Sequence, residues 1–332
     1  RHLEALGKVR AVAFDKTGTI THGRLRVAAV RAAAGIGEDE VRRPAAAVEA
    51  GSAHPAAEAI RREAARRGMA TAARGTLART FTAIEGKGVS AEVDGVRVYV
   101  GNRRLFEGQL GAGEGPGGLP AAVGPEAASV AMVGTDRGVS GAIDLADEVR
   151  AEASETVRSL RALGVRHVSL LTGDHAGAAR AAAEAAGIDE VSHGLLPEDK
   201  LAEVRRLLAA HGTVAMVGDG VNDAPALALA TVGIAMAAAG SPAAMETADV
   251  ALLAGDLRKI PSAIGLGRRM VQVVRQNVAA SLGIKAGFLG LAVAGYATLW
   301  MAVLADMGTT LLVIFNWLRI LRTRAVPRPG TP

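Results

Sequence analysis

The chain has 332 residues, 50% of them hydrophobic, with a formal net charge of +5 and no cysteine. A chain this long and this apolar buries more than one core, which excludes a single small domain. The missing cysteines exclude disulfides and thiolate metal ligands within it. The basic balance does not point to nucleic acid, because Lys and Arg are interleaved with acids and only 3% of residues are aromatic. The chain starts at Arg1 with no leader-like stretch and reads as a piece of a longer protein.

In chain order, Val9–Phe14 is a short apolar run of strand type that ends directly at Asp15. Residues 1–24 and 140–262 share one pattern, and residues 25–139 form an insertion with another. Within the insertion, Glu58–Arg67 reads as a helix. Val89, Ala91, Val93 and Val96, Val98, Val100 alternate as two strands joined at Asp94-Gly95, a hairpin signal. Gly111–Gly124 is too rich in Gly and Pro to pack and reads as a flexible loop.

After the insertion, helix and strand patterns alternate. A helix runs from about Glu148 and closes at Gly164, a strand covers Val168–Leu171, and a second helix closes at Gly187. A third helix runs from about Asp199 to Gly212, before a strand at Thr213–Val217. This alternation predicts an α/β unit with a parallel sheet. Residues 270–320 are apolar enough for two membrane-crossing helices of roughly 20 residues each, turning at Gly295-Tyr296. Arg268, Arg269 and Arg275 precede the pair and Arg319, Arg322 and Arg324 follow it, which places both ends on the cytoplasmic side.

The chemistry gathers at three predicted strand ends, where open α/β sheets hold their ligands. They are Asp15-Lys16-Thr17-Gly18-Thr19, Thr172-Gly173-Asp174, and Gly218-Asp219-Gly220-Val221-Asn222-Asp223-Ala224-Pro225. Phosphoryl transfer needs a nucleophile, a magnesium ion and donors around the phosphate oxygens. Asp15 supplies a nucleophile, Asp219 and the Thr17 carbonyl supply hard oxygen ligands for Mg²⁺, and Thr172, Gly173 and Lys200 supply phosphate contacts. A carboxylate nucleophile divides ATP hydrolysis into two steps through an acyl phosphate.

The motifs DKTGT, TGD and GDGVNDAPAL, in this order, resemble those of P-type ATPases, within the haloacid dehalogenase-like superfamily. The resemblance covers nearly the whole chain. It implies a Rossmannoid phosphorylation domain split by an inserted α+β nucleotide-binding domain and followed by a transmembrane hairpin. It implies phosphorylation of Asp15 by ATP, a catalytic set completed by Thr172, Gly173, Asp174, Lys200 and Asn222, and Mg²⁺ held by Asp15, Thr17, Asp219 and Asp223. Phosphatases of the superfamily usually carry a second Asp two positions after the nucleophile. Here that position is Thr17, so water attack on an aspartyl phosphate is slow. A truncated fragment that binds ATP without turnover is a further reading, opposed by the intact Asp15, Lys200, Asp219 and Asn222. Ile20 and Ala237 replace the family's common Leu and Gly without touching a charged participant.

Within the insertion, Glu49, Ser52-Ala53-His54-Pro55, Gly86-Lys87-Gly88 and Gly101-Asn102 look like the nucleotide-binding domain of the heavy-metal subgroup. By that likeness His54 contacts adenine, while Gly86 and Gly88 allow backbone approach to the nucleotide. Lys285 and Asp306 lie in the two apolar spans, where a charge near mid-membrane costs about 2.5–3.5 kcal/mol. They form either a compensating ion pair or a functional site, with Asp306 a ligand of a divalent cation and Lys285 its counter-charge. Lys285 and Asp306-Met307-Gly308 are similar to the zinc/cadmium/lead-exporting group. Asn277, Asn316, Trp317, Met301 and Met307 read as boundary or packing residues. The resemblance further implies an upstream portion with membrane helices, a Cys-Pro-Cys metal site and an actuator domain. It also implies a multi-pass place in the cell membrane with the catalytic domains cytoplasmic.

Overall fold

The computed structural model describes residues 2–69, 79–109, 127, 129–219, 223–236, 246–253 and 255–321. The Gly111–Gly124 loop, Asn222, Ala237, Arg322 and Arg324 lie outside the described residues. The first elements are α1 (His2–Gly7), β1 (Ala11–Asp15), β2 (Thr21–Ala32), α2 (Glu38–Val48), α3 (Pro55–Arg66), β3 (Arg79–Ile84), β4 (Gly88–Val93) and β5 (Val96–Gly101). Next come α4 (Arg103–Gln109), β6 (Ser129–Thr135), β7 (Gly138–Val149), α5 (Ala153–Ala162), β8 (His167–Leu171), α6 (Ala176–Ala186), β9 (Glu190–Ser192) and α7 (Pro197–His211). The last are β10 (Val214–Gly218), α8 (Ala224–Leu229), β11 (Val232–Ala235), β12 (Val250–Ala251), α9 (Lys259–Val293) and α10 (Leu299–Leu321). They fall into two compact units, one of Phe14–Ser154 with Ser169–Lys200 and one of Arg1–Ala13, Glu155–Val168 and Leu201–Pro332.

The unit containing Phe14–Ser154 is built on an antiparallel sheet in the order β2-β7-β6-β5-β4-β3. Strand alternation sends Val98, Val100, Ala131, Val133, Ile143 and Leu145 into a core with residues of α2 and α3. Tyr99, Val130 and Met132 turn to the other face, against Leu105 and Phe106 of α4. Asp94-Gly95 makes the expected hairpin. Val93 pairs with Val96, and the turn residues have φ of 51° and 80°, as a two-residue primed turn requires.

The helix expected from about Glu148 instead begins at Ala153, because β7 runs on to Val149, paired with Thr21. β2 and β7 are clamped by Arg31, whose Nε and Nη2 donate to the two carboxylate oxygens of Asp144 at 2.9 and 2.7 Å. β8 and β9 pair in parallel from Ser169↔Glu190 to Leu171↔Ser192.

In the other unit, β10, β11 and β12 form a parallel ladder, and every residue of β10 is buried. The amides of Arg10 and Ala11 both donate to the Thr213 carbonyl, so the chain enters β1 tied to the start of β10. Helix α1 lies across α9, with Gly7 against Gly267. A Cβ on Gly7 would sit 2.5 Å from the Gly267 carbonyl oxygen, so only glycine permits this crossing. The end of α9 turns at Gly295 (φ 79°) into α10, and Asn316 Nδ2 donates to Asn277 Oδ1 at 2.7 Å. By length and composition α10 alone, over Leu299–Arg319, is apolar enough to cross a membrane among the described residues. Helix α9 is long enough at 35 residues, but Gln272, Arg275, Gln276, Asn277 and Lys285 interrupt its apolar stretch.

Candidate active site

Asp15 ends β1 and is 5% exposed. Its Oδ1 accepts a charge-assisted hydrogen bond from Lys200 Nζ at 2.6 Å, across 185 positions of sequence. Lys200 is positioned by its helix start: Pro197 opens α7, and the Leu196 amide donates to Asp199 Oδ2 at 2.9 Å. The Lys16–Ile20 segment turns tightly through Gly18 (φ 74°), and the Thr21 hydroxyl closes it by donating to the Lys16 carbonyl at 3.0 Å.

Lys16 is buried, and its ammonium pairs with both Asp147 and Asp174. Burial disfavours its charge, but the hydrogen bonds to Asp147 and Asp174 outweigh burial and raise its pKa. Arg150 donates to three carbonyls of the same turn, Thr19 at 2.8 Å, Gly18 at 3.1 Å and Thr21 at 3.2 Å. A cavity of about 620 Å³ opens beside Lys16, between Ala146–Val149 and the alanine face of α6.

The Thr172-Gly173-Asp174 segment is held by the loop that leads into α7. The Leu195 amide donates to the Thr172 carbonyl at 3.1 Å, and the Gly194 amide to the Asp174 carbonyl at 2.8 Å. The Thr172 hydroxyl accepts from the Asp174 amide at 3.1 Å, and a Cβ on Gly173 would lie 3.1 Å from the Leu195 carbonyl oxygen. Asp15, Lys200, Thr172 and Asp174 are therefore tied into one hydrogen-bonded assembly, with Gly173 between the last two in the chain. Asp219 follows β10, and Asp223 is buried at the start of α8, its Oδ2 3.0 Å from where a Gly218 Cβ would stand. Asp147, Arg150 and the role of Lys16 escaped the sequence reading. The usable signal was topological: both ends of an insertion leave the same place, so residues just before α5 must return to the Asp15 turn.

In the insertion, Glu49 is buried in a single turn after α2, and its Oε2 has no hydrogen-bond partner among the described residues. Burial pushes its carboxyl pKa up, against the Ser52 hydroxyl and the charge of Arg61. Arg61 binds this turn by donating to the carbonyls of Glu49 at 2.5 Å and Ser52 at 2.8 Å. His54 caps α3, its Nδ1 accepting from the Ala56 amide at 3.2 Å, ahead of Pro55 at the first helical position.

The exposed ring of Phe81 packs on Gly51, 2.9 Å from where a Cβ would be. An exposed aromatic in so aromatic-poor a chain was the overlooked sequence signal. The glycines divide. Gly86 (φ 66°) has open space around it, whereas Gly88 and Gly101 are required by strand packing, a Cβ on either meeting a carbonyl oxygen at 2.2 Å. Asn102 serves the same turn, donating to the Gly86 carbonyl at 2.8 Å while its Oδ1 accepts from the Leu105 amide at 3.3 Å.

Lys285 of α9 and Asp306 of α10 line one cavity of about 160 Å³ with Ile284, Phe288, Ala302, Ala305 and Thr309. The two charges do not form the ion pair that a purely compensating role calls for; neither enters a salt bridge among the described residues.

Residues 9–231 match the haloacid dehalogenase-like hydrolase family, and the chain belongs to that family. Metal-transporting ATPases are among the proteins it is similar to. A probable cadmium-transporting ATPase of Staphylococcus aureus (strain MRSA252) is 39% identical over 327 residues, 97% of this chain and 45% of that protein. The zinc/cadmium/lead-transporting P-type ATPase of Escherichia coli (strain K12) is 44% identical over 326 residues, 97% of this chain and 42% of that protein. A crystal structure of a zinc-transporting PIB-type ATPase in its E2.Pi state superposes with a TM-score of 0.81 at 42% identity, covering 97% of this chain and 51% of that one. The chain thus spans about half the length, or less, of these three proteins.

Proposed function

We propose that this chain is the catalytic portion of an ATP-driven exporter of divalent heavy-metal cations, Zn²⁺, Cd²⁺ or Pb²⁺, in which Asp15 is phosphorylated and released in each cycle. The observation that carries this reading is the buried Asp15 carboxylate with Lys200 on its Oδ1 at 2.6 Å. The lysine orients the carboxylate and neutralises charge where the anionic γ-phosphoryl group must approach. An Asp15 oxygen attacks the γ-phosphorus, a new P–O bond forms, the bond to the β–γ bridging oxygen breaks, and ADP departs with that electron pair. Thr172, Gly173 and Asp174 are the remaining phosphate-side candidates, and Asn222 completes the set.

Asp15, the Thr17 carbonyl, Asp219 and Asp223 are hard oxygen donors of the kind Mg²⁺ takes, and they would hold it. Bound there, the ion would neutralise phosphate charge. Glu49, with its unpartnered buried Oε2, fits a hydrogen-bond donor such as the adenine amino group. His54, Gly86 and the exposed Phe81 would complete a nucleotide patch, with Gly88, Gly101 and Asn102 shaping its turn. Asp306 would bind the transported cation and Lys285 would replace its charge after release, in a hairpin crossing the cell membrane with both ends cytoplasmic. The upstream portion of the same polypeptide would supply the rest of the path.

The test is acid-stable, hydroxylamine-sensitive labelling from γ-³²P-ATP and Mg²⁺, comparing the chain with Asp15→Asn. Label in the parent and none in the variant is the expected result. Equal label in both would move the nucleophile elsewhere.

A further inference from the structure

The crossing of α1 and α9 gathers positive charge. Because Gly7 and Gly267 touch backbone to backbone, the segment leaving α1 runs along α9 and encloses a cavity of about 570 Å³ with it. Lys8, Arg10, Arg268 and Arg275 line this cavity together with Gln272 and Gln276, and no carboxylate does among the described residues. Lys8 is engaged by Glu4 at 2.7 Å, and one nitrogen of Arg268 donates to the Val9 carbonyl at 3.1 Å. Arg10 and Arg275 have no carboxylate partner among the described residues. Burial also lowers the Arg268 guanidinium pKa, with no opposing carboxylate. Four cations around one cavity repel each other unless an anion joins them.

The location says which anion. Asn316, near the end of the apolar helix α10, bonds Asn277, so residue 277 marks the polar end of the hairpin. At 1.5 Å of rise per residue, Arg275 lies about 3 Å and Arg268 about 14 Å beyond that level. Headgroup regions add roughly 5–8 Å to each side of the hydrocarbon core, so the cavity opens in and just above the headgroup layer. Positions 271, 275, 278 and 282 share one face of α9. Val278 and Leu282 are 52% and 63% exposed on it, an apolar track leading from the cavity toward the span.

We propose that this cavity binds the phosphate-bearing headgroup of an anionic membrane phospholipid, with an acyl chain along Val278 and Leu282. Beyond the pump reading, it rests on the hairpin being membrane-embedded. The experiment uses the full polypeptide in detergent, titrated with dioleoyl-phosphatidylglycerol or dioleoyl-phosphatidylcholine, with lipid adducts counted by native mass spectrometry. Phosphatidylglycerol is expected to be retained in preference to phosphatidylcholine. The double variant Arg10→Gln/Arg275→Gln is expected to weaken its retention on the order of tenfold or more, and the charge-matched Arg103→Gln/Arg104→Gln to leave it unchanged.

Equal retention of the two lipids, or equal retention by parent and Arg10→Gln/Arg275→Gln, overturns the proposal. Displacement by millimolar inorganic phosphate also overturns it, by assigning the cavity to a soluble anion. Flotation of the same protein with neutral phosphatidylcholine vesicles reports membrane embedding separately, so a failure there is distinguishable from a failure of the headgroup site.

Discussion

Lys16 and Lys285 invite comparison. Lys16 is 2% exposed and locked between Asp147 and Asp174, in a turn further held by Arg150. Lys285 shares a small cavity with Asp306, yet neither joins an ion pair among the described residues. A buried charge bound on both sides fixes geometry, because moving it exposes uncompensated carboxylates. A charge left unpaired beside an opposite one keeps its binding capacity for something else. The Lys16 cluster is clamped from both sides, whereas the Lys285–Asp306 cavity holds two opposite charges that form no ion pair among the described residues.

Substitutions can break that contrast. After the loss of label in Asp15→Asn, the largest effect is expected from Lys16→Met, which strands two carboxylates. It should lower unfolding free energy by about 3–5 kcal/mol, read from the urea midpoint at constant slope. Gly88→Ala tests whether that glycine serves packing. With φ at 151° and a carbonyl oxygen 2.2 Å from the new Cβ, a loss on the order of 3 kcal/mol is expected. A variant as stable as the parent, but weak in ATP binding, would return Gly88 to the nucleotide.

Glu49→Gln sharpens the comparison from the insertion. Because burial raises the folded-state pKa of Glu49, the folded form binds its proton more tightly than the unfolded chain does. The resulting destabilisation is absent at low pH, grows as pH rises through the ordinary carboxylate range, and is complete above the raised pKa. The Gln variant should therefore match the parent in acid and exceed it in stability at pH 7, while binding ATP less well. A parallel stability offset at every pH would contradict the assignment. Asp306→Asn should have the smallest structural effect, within about 0.5 kcal/mol. In the full polypeptide it should nonetheless remove stimulation of ATP hydrolysis by Zn²⁺ or Cd²⁺.

Much was legible in sequence because it is local. The Asp94-Gly95 turn demands positive φ at two successive residues and declared itself by residue type. The strand end at Asp15 and the turn at Gly295 follow from apolar runs and from the freedom of Gly, whereas the helix expected from Glu58 starts earlier, at Pro55, whose fixed φ suits the first helical position. His54 illustrates the boundary: the resemblance implied an adenine contact, and the structure makes the residue the cap of α3 through its Nδ1 bond to Ala56 while leaving the ring exposed. For Gly88 and Gly101 the resemblance implied a nucleotide role, and the structure adds a packing one, since nothing in GKG or GN reveals that two strands meet there.

By itself, then, the amino-acid order determined the motifs, their order and the elements that present them, because those depend on neighbours a few positions apart. Only the tertiary structure decided that Lys200 reaches Asp15 over 185 positions, that Asp147 and Asp174 clasp Lys16, and that Lys285 and Asp306 share a cavity without pairing. Such contacts are set by where an insertion returns and where helices cross, and chain closure over those distances leaves no local trace in residue type.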